Sequence, residues 1–351
     1  MCFRFIKNTI VLVAIKETFI CKNRLVQYIA IFIGLIHCTI CHCQADESSY
    51  PSKNIKLYIN VPAGGTTDQV SRYIAEKLSN TFNPYTVTPI NLDGAGGLVA
   101  ERYLRTTPAD GYALLATPPG ILLNPSQQEN TQTAAPLKPV IVAGYFPNAI
   151  IARPSLPYKT LGELIQGAKK NRTTLTCASQ GVGTTSHLNC LKFSMLTGID
   201  IIHVPFRGTG PALLAILGNQ VDLFFGNPQI ALGQYEQKKL LILAIMDRKK
   251  LANAPQIPTV HELKYPGLHS LSWIAIMAPP GTPLSIATKL NLTLQKIIGS
   301  PASRQFLSHL NVNPVGGDLS ATRLFIQQEV TENQLLLARI NKQFGSLEIA
   351  P

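Results

Sequence analysis

Ile55, Leu57, Ile59 and Val61 alternate with other residues, and this period of two predicts a strand that starts the fold. After a glycine-containing turn over 62–67 the period lengthens. Val70, Ile74, Ala75 and Leu78 then share one helical face, which predicts a helix over 68–78 with Thr67 as its N-cap. A second strand follows over 86–90, a second helix runs to residue 104 behind Gly94-Ala95-Gly96-Gly97, and a third strand covers 112–116. Strand, helix, strand, helix, strand is the order of a parallel sheet in an α/β domain. Residues 126–135 are polar without periodicity and read as a surface loop, followed by an apolar run over 140–152. The pattern then restarts with helices over 161–169, 186–196 and 211–217 and strands over 175–178, 201–204, 221–225 and 240–246. A strand over 272–278 reads as a return to the first unit. The helices over 283–298 and 322–344 have no second sheet to cover, so they are expected on that first unit as well. Two sheets joined by more than one crossing predict a clamshell with a cleft between two α/β domains. The expected division is 46–146 with 272–351 for domain 1 and 147–271 for domain 2.

The first 45 residues stand outside this pattern. Lys22 and Arg24 precede an apolar run over 25–36, and small residues lead to Cys43-Gln44-Ala45 before Asp46-Glu47. This is the basic, apolar, small order of a secretory signal, with cleavage expected after Ala45. The run of about 12 residues makes roughly 18 Å of helix, short of a hydrocarbon core of about 30 Å. A single membrane anchor is the alternative reading. A second apolar stretch over 5–15 implies either a later start codon or a long signal.

Composition sharpens the picture at two points. Apolar residues make up 46% and charged residues 14%, so the chain can bury sizeable cores. Five of the 31 basic and one of the 19 acidic residues fall in the first 45, which lowers the net charge from +12 to +8 for the remainder. That charge is scattered, with no basic run interleaved with aromatics, so no nucleic-acid partner is expected. A mild positive field still attracts anions. Of 7 cysteines, only Cys177 and Cys190 lie beyond the signal. They are too few for a zinc site, and spacing leaves open whether they are bridged or free. None of Cys38, Cys41 and Cys43 follows the Leu-small-small sequence of a lipid-anchoring site, so a soluble exported product is expected.

The candidate chemistry sits in three small-residue loops at strand-to-helix junctions: Pro62-Ala63-Gly64-Gly65-Thr66-Thr67-Asp68, Asp93-Gly94-Ala95-Gly96-Gly97 and Ser179-Gln180-Gly181-Val182-Gly183-Thr184-Thr185. Such loops share the edge of a parallel sheet where ligands bind. Glycine admits an anion close to the backbone, and the next helix offers free N–H groups. Gly65 and Gly181 are expected at tight turns of positive φ. No loop matches GxxxxGK[ST], GxGxxG or GxSxG, so nucleotide-binding and serine-hydrolase signatures are absent. His187 is read either as a hydrogen-bond donor or acceptor on the ligand side or as helix packing, with no carboxylate nearby in sequence to make it a catalytic base. His203 reads as a strand residue, and Arg207 as an anion contact or a solvated charge. Trp273 is expected in interdomain packing or on the cleft wall, and Asp222 as a backbone anchor rather than a metal ligand.

At these loops the chain resembles the extracytoplasmic solute receptors of the tripartite tricarboxylate transporter family, including the Bordetella uptake gene (Bug) set. The matching motifs include Tyr50-Pro51-Ser52-Lys53-Asn54-Ile55, Pro108-Ala109-Asp110-Gly111-Tyr112, His203-Val204-Pro205-Phe206-Arg207-Gly208, Gly218-Asn219-Gln220-Val221-Asp222 and Ala278-Pro279-Pro280-Gly281-Thr282-Pro283, besides the glycine loops. The resemblance covers about residues 50–345. It implies a two-lobed periplasmic binding protein clamshell, type 2-like, that closes on its ligand. It implies that a ligand carboxylate is held by backbone N–H groups and ordered water, at positions equivalent here to Ala63, Gly64, Gly65, Thr66, Thr67, Ala95, Gly96, Gly97, Thr117, Gln180, Gly181, Gly183 and Thr184. It implies large and small membrane subunits as partners, a monomeric receptor, and neither cofactor nor metal. Three departures leave the ligand open: Asn91-Leu92-Asp93 in place of Asn-Arg-Pro, Gly226 in place of a common Asp, and a segment over 126–136 without the usual aromatic and acidic residues. The rival readings are a receptor for a two-component sensor kinase and, from another class, an α/β enzyme acting on an anion, for which no nucleophile or acid–base pair is found.

Overall fold

The computed structural model describes residues 50–120 and 136–344. The signal segment, its cleavage site and the loop over 126–135 lie outside the described residues.

The first sheet holds β1 (Ile55–Ile59), β2 (Val87–Asn91), β3 (Ala113–Thr117), β4 (Lys138–Pro147), β10 (Leu271–Ala278) and β11 (Asn313–Gly316), in the order β11-β4-β10-β3-β1-β2. The β2-β1-β3 segment is parallel, as the strand–helix alternation predicts. The returning strand β10 lies antiparallel between β3 and β4, which makes the whole sheet mixed. The second sheet holds β5 (Ala149–Ala152), β6 (Leu175–Ser179), β7 (Ile201–Pro205), β8 (Leu223–Gly226) and β9 (Leu241–Ile245), in the order β7-β6-β8-β5-β9.

Each sheet is covered on both faces, and the side-chain period of two sorts residues between the layers. Leu57 and Ile59 meet Val70, Ile74 and Leu78 of α1 (Thr66–Phe82) and Leu290 and Leu294 of α7 (Leu284–Gly299). Tyr58 points the other way, into a cluster with Leu104 of α2 (Leu98–Thr106) and Ile326 of α9 (Leu319–Phe344). In the second sheet, Ile150 and Phe225 pack on Leu164 of α3 (Leu161–Asn171) and Phe193 of α4 (Thr185–Thr197). Ile151 and Phe224 pack on Ala212 and Ile216 of α5 (Thr209–Leu217) and Leu232 of the short α6 (Leu232–Glu236).

The apolar run over 140–152 forms two strands, β4 and β5. Asn148 sits between β4 and β5, where the chain passes from the first sheet to the second, and Ser270 marks the return into β10. The two crossings run side by side: Asn148 N donates to Ser270 O at 3.1 Å, and Asn148 Nδ2 donates to Ser270 Oγ at 3.1 Å.

Several sequence expectations need correction. The N-cap of α1 is Gly65, not Thr67, which lies inside the helix. Trp273 belongs to neither the cleft nor an interdomain contact. It is fully buried in the first lobe beside Phe325, and its Nε1 donates to Glu329 Oε2 at 3.2 Å. The helix α9 covers the first sheet as expected, but it also reaches the second lobe, where Leu337 meets Leu188 of α4. Three elements were not foreseen, the short α6, α8 (Pro301–His309) and β11. Cys177 and Cys190, left open by spacing, form a disulfide with Cα atoms 6.1 Å apart.

Candidate functional site

Four helices start at one cleft between the lobes. Thr66 and Thr67 of α1, Leu98 of α2, Thr185 and Ser186 of α4 and Thr209 of α5 all border a cavity of about 1060 Å³. The first amides of any helix lack partners within it and carry about half a positive charge. At α1, α2 and α5 the capping residues are Gly65, Gly97 and Gly208, and no side chain caps the helix. At α4 the cap is Thr184, whose hydroxyl donates to Gly181 O at 2.6 Å and accepts from His187 N at 3.5 Å, a long cap. Arg102 and Arg207 add full positive charges at the wall, and Asp93 is the one acid there among the described residues. The geometry favours an anionic group over a cationic one.

Two networks hold the loops. Asp68 accepts from Gly64 N at 2.9 Å, Arg72 Nε at 3.0 Å and Asn91 Nδ2 at 2.8 Å, and Asn91 Nδ2 also donates to Val61 O. Burial alone would raise the Asp68 carboxyl, but these donors outweigh it and hold it below the usual carboxylate range. The residues around Asn91 therefore brace the first loop. Behind the third loop, His187 and His203 stack with ring centroids 4.0 Å apart. Gly183 N donates to His187 Nδ1 at 3.2 Å, and His203 Nε2 shares a 2.6 Å hydrogen bond with Ser179 Oγ. Burial pushes both imidazoles down to about 4, and at His187 the neighbouring His203 adds to it.

Of the residues singled out from sequence, Ala63, Gly65, Thr66, Thr67, Ala95, Gly96, Gly97, Gln180, Gly181, Thr184 and Arg207 come together on the cavity wall. Gly64, Thr117, Gly183 and His187 do not line it. Gly64 and Gly183 spend their N–H groups on the loops themselves, Thr117 is fully buried beneath the floor, and His187 stands behind the loop as its support. Gly181 has φ +130°, as expected, but Gly65 has φ −78°, so the expectation of positive φ fails there. Asp222 does anchor backbone: its Oδ2 accepts from Thr176 N at 2.8 Å, and its Oδ1 pairs with Arg153 at 2.7 Å. The sequence reading missed Asn60, Phe146, Asn148, Asn227 and Ser272, all on the cavity wall. A polar Asn148 interrupting an apolar run was a usable signal. Asn60 falls on the polar phase of an alternating strand and carried none. Among the described residues, no cluster of His, Cys, Asp or Glu could hold a metal, and no helix is long and apolar enough to cross a membrane.

Known proteins match this arrangement over nearly its full length. BugT of Bordetella pertussis is 29% identical over 312 residues, 88% of this chain and 94% of its own. Rpa4515 of R. palustris, solved with adipate, superposes with a TM-score of 0.77 at 28% identity over 83% of this chain and 98% of its own. MatC of Rhodopseudomonas palustris, solved with bound malate, gives 0.73 at 26% identity over 82% and 99%. The periplasmic binding protein BugD gives 0.76 at 28% over 83% and 99%. The family described as tripartite tricarboxylate transporter family receptor matches residues 70–342. With its two lobes, its glycine-capped cleft and this match, the chain belongs to that family of substrate-binding receptors, which are not enzymes.

Proposed function

We propose that this chain is a periplasmic receptor that captures a small carboxylate-bearing solute between its lobes and delivers it to the large and small membrane subunits of a tripartite tricarboxylate-type transporter. The observation that carries the reading is the convergence of four helix N-termini, three of them capped by glycine, on one cavity. Such a site holds a carboxylate through backbone N–H groups. The adipate and malate in the related structures support the ligand class. In this reading Ala63, Gly65, Thr66, Thr67, Ala95, Gly96, Gly97, Gln180, Gly181 and Thr184 form the carboxylate seat, and Arg207 contributes charge from the rim. Gly64, Gly183, Thr117 and His187 shape the seat from behind. The lobes are 46–146 with 272–351 and 147–271, hinged where Asn148 and Ser270 cross. The chain acts as a monomer, exported by a signal over 1–45 that is cleaved after Ala45.

Calorimetry against mono-, di- and tricarboxylates tests the ligand class, alongside mass spectrometry of whatever co-purifies from the native host. A single-site exothermic or entropic binding isotherm with at least one carboxylate is expected. Folded protein that binds none of them, or a co-purified ligand without a carboxylate, sinks the reading.

A further inference from the structure

Asn60 follows β1 directly and ends on the cavity floor, 3% exposed yet bordering the cleft. The orientation of its amide follows from its neighbours. Thr117 Oγ1 donates its only proton to Pro118 O at 3.0 Å, so toward Asn60 it acts as an acceptor. Asn60 must then present its NH2 group, and Nδ2 donates to Thr117 Oγ1 at 2.8 Å. That leaves the carbonyl oxygen Oδ1 turned to the other side, buried, with no hydrogen-bond partner among the described residues. Gly97 makes the placement possible: at φ +102°, a Cβ there would stand 2.4 Å from Asn60 Nδ2.

Buried acceptors are rarely left without a donor, and each one so left lowers stability. The remainder of the cavity is rich in donors, from helix starts and from Arg102 and Arg207, as an anion requires. Asn60 Oδ1 asks for the opposite, a proton from the ligand. We propose that Asn60 is a specificity-determining residue whose Oδ1 accepts a hydrogen bond from a ligand hydroxyl, so that the receptor prefers hydroxylated carboxylates to their deoxy counterparts. The proposal rests on the carboxylate reading of the cleft. A hydroxyl fits better than an ammonium for two reasons. An amide oxygen carries no charge to neutralise a cation, and Asp93, the one acid on the wall among the described residues, is exposed rather than buried beside Asn60. Gly226 likewise contributes no carboxylate at the end of β8.

Matched pairs of acids test this in calorimetry: malate with succinate, 2-hydroxyadipate with adipate, lactate with propionate, citrate with tricarballylate. The parent protein is expected to prefer the hydroxylated member of its best-bound pair by about tenfold or more, the scale of one good buried hydrogen bond. Asn60→Leu keeps the shape and removes the acceptor. It also removes the Nδ2 donor to Thr117, so the readout is the ratio of the two affinities within a pair, which should fall most of the way to one whatever the variant's absolute affinity. A crystal structure of the parent with the hydroxylated acid keeps the question decidable if the variant does not fold, since the ligand hydroxyl should then lie within hydrogen-bond distance of Oδ1. Equal affinity for both members in the parent overturns the proposal. So does a preference that survives Asn60→Leu, or a complex in which only a water meets Oδ1. In each of those cases the carboxylate reading stands. If no acid of either kind binds, the carboxylate reading falls and takes this inference with it.

Discussion

At Gly96 the two lobes approach so closely that no side chain fits between them. Its φ is +64°, and a Cβ there would stand 2.5 Å from the carbonyl oxygen of Val182 in the opposite lobe. Gly96→Ala should therefore block closure and weaken ligand binding at least about tenfold, roughly 1.4 kcal/mol. Gly65 contacts the same cleft but at φ −78°, and its added Cβ would meet only Thr209 Oγ1, at 3.4 Å. Gly65→Ala should bind within about threefold of the parent, a few tenths of a kcal/mol. Titration calorimetry on the pair separates backbone strain from mere proximity, and equal losses in both variants would count against the argument. A glycine run in sequence marks where backbone comes close to a partner, but not which glycine needs a left-handed φ, because that depends on the facing lobe. The stacked His187 and His203 make a second residue-scale prediction. Both are held neutral down to about 4, whereas an unfolded histidine titrates near 6.5. As pH falls through that window the unfolded chain takes up protons that the folded lobe refuses. Stability is thus full above about 6.5 and declines toward 4, by up to about 1.4 kcal/mol per pH unit for the buried His187. Denaturant melts at pH 7 and pH 5 should show this slope reduced in His187→Gln. An unchanged slope would place the acid sensitivity elsewhere.

The elements of the second lobe carry a staple directly under the third glycine loop. The Cys177–Cys190 bridge joins the middle of β6 to the second turn of α4 across a separation of 13 residues. Closing a loop of that size constrains the unfolded chain by about 3 kcal/mol. Replacing both cysteines by alanine should lower the unfolding free energy of the second lobe by that order and leave the first lobe unchanged. Denaturant melts followed by lobe-specific hydrogen exchange would check it, and equal losses in both lobes would contradict the assignment. Sequence spacing could place Cys190 in the first half of a helix after a strand, but not the approach of that helix to the sheet, where Phe193 packs on Phe225 of β8. The same limit separates the elements that were legible from those that were not. Helices with an apolar face, such as α1 with Val70, Ile74 and Leu78, announce themselves by periodicity. The helix α8 had a readable start in Ser300-Pro301, where Ser300 Oγ accepts from Ser303 N at 3.2 Å, but only Ser303 and Leu307 within it are buried. The strand β11 shows three exposed residues and a proline at a sheet edge, so alternation had nothing to report.

At the scale of the whole molecule, the clamshell was legible because the strand–helix pattern stops near 117 and restarts near 161, with a late strand left over to return. The contacts that hold the lobes together were not, since they join residues far apart in sequence. Asn227 Nδ2 of the second lobe donates to Thr66 Oγ1 of the first at 2.9 Å. Asn311 Nδ2 of the first lobe donates to Gln229 Oε1 of the second at 2.7 Å. Asn227 borders the cavity, so changing it would confound closure with direct contact to a ligand. Gln229 does not border the cavity, and its side chain otherwise accepts only from Asn253 at 3.2 Å within its own lobe. Gln229→Ala therefore weakens the closed arrangement without touching the site. One net hydrogen bond is worth about 0.5–1.5 kcal/mol, so affinity should fall by about two- to tenfold. X-ray scattering should find the ligand-free variant more open than the ligand-free parent, and the two alike at saturating ligand, because ligand biases the same pair of states in both. Asn253→Ala removes only the bond within the lobe and should leave affinity and dimensions unchanged. Loss of affinity in Asn253→Ala equal to that in Gln229→Ala would trace the effect to the second lobe's own stability. Parent affinity in Gln229→Ala, with no change in its ligand-free dimensions, would show that this contact does not hold the lobes shut.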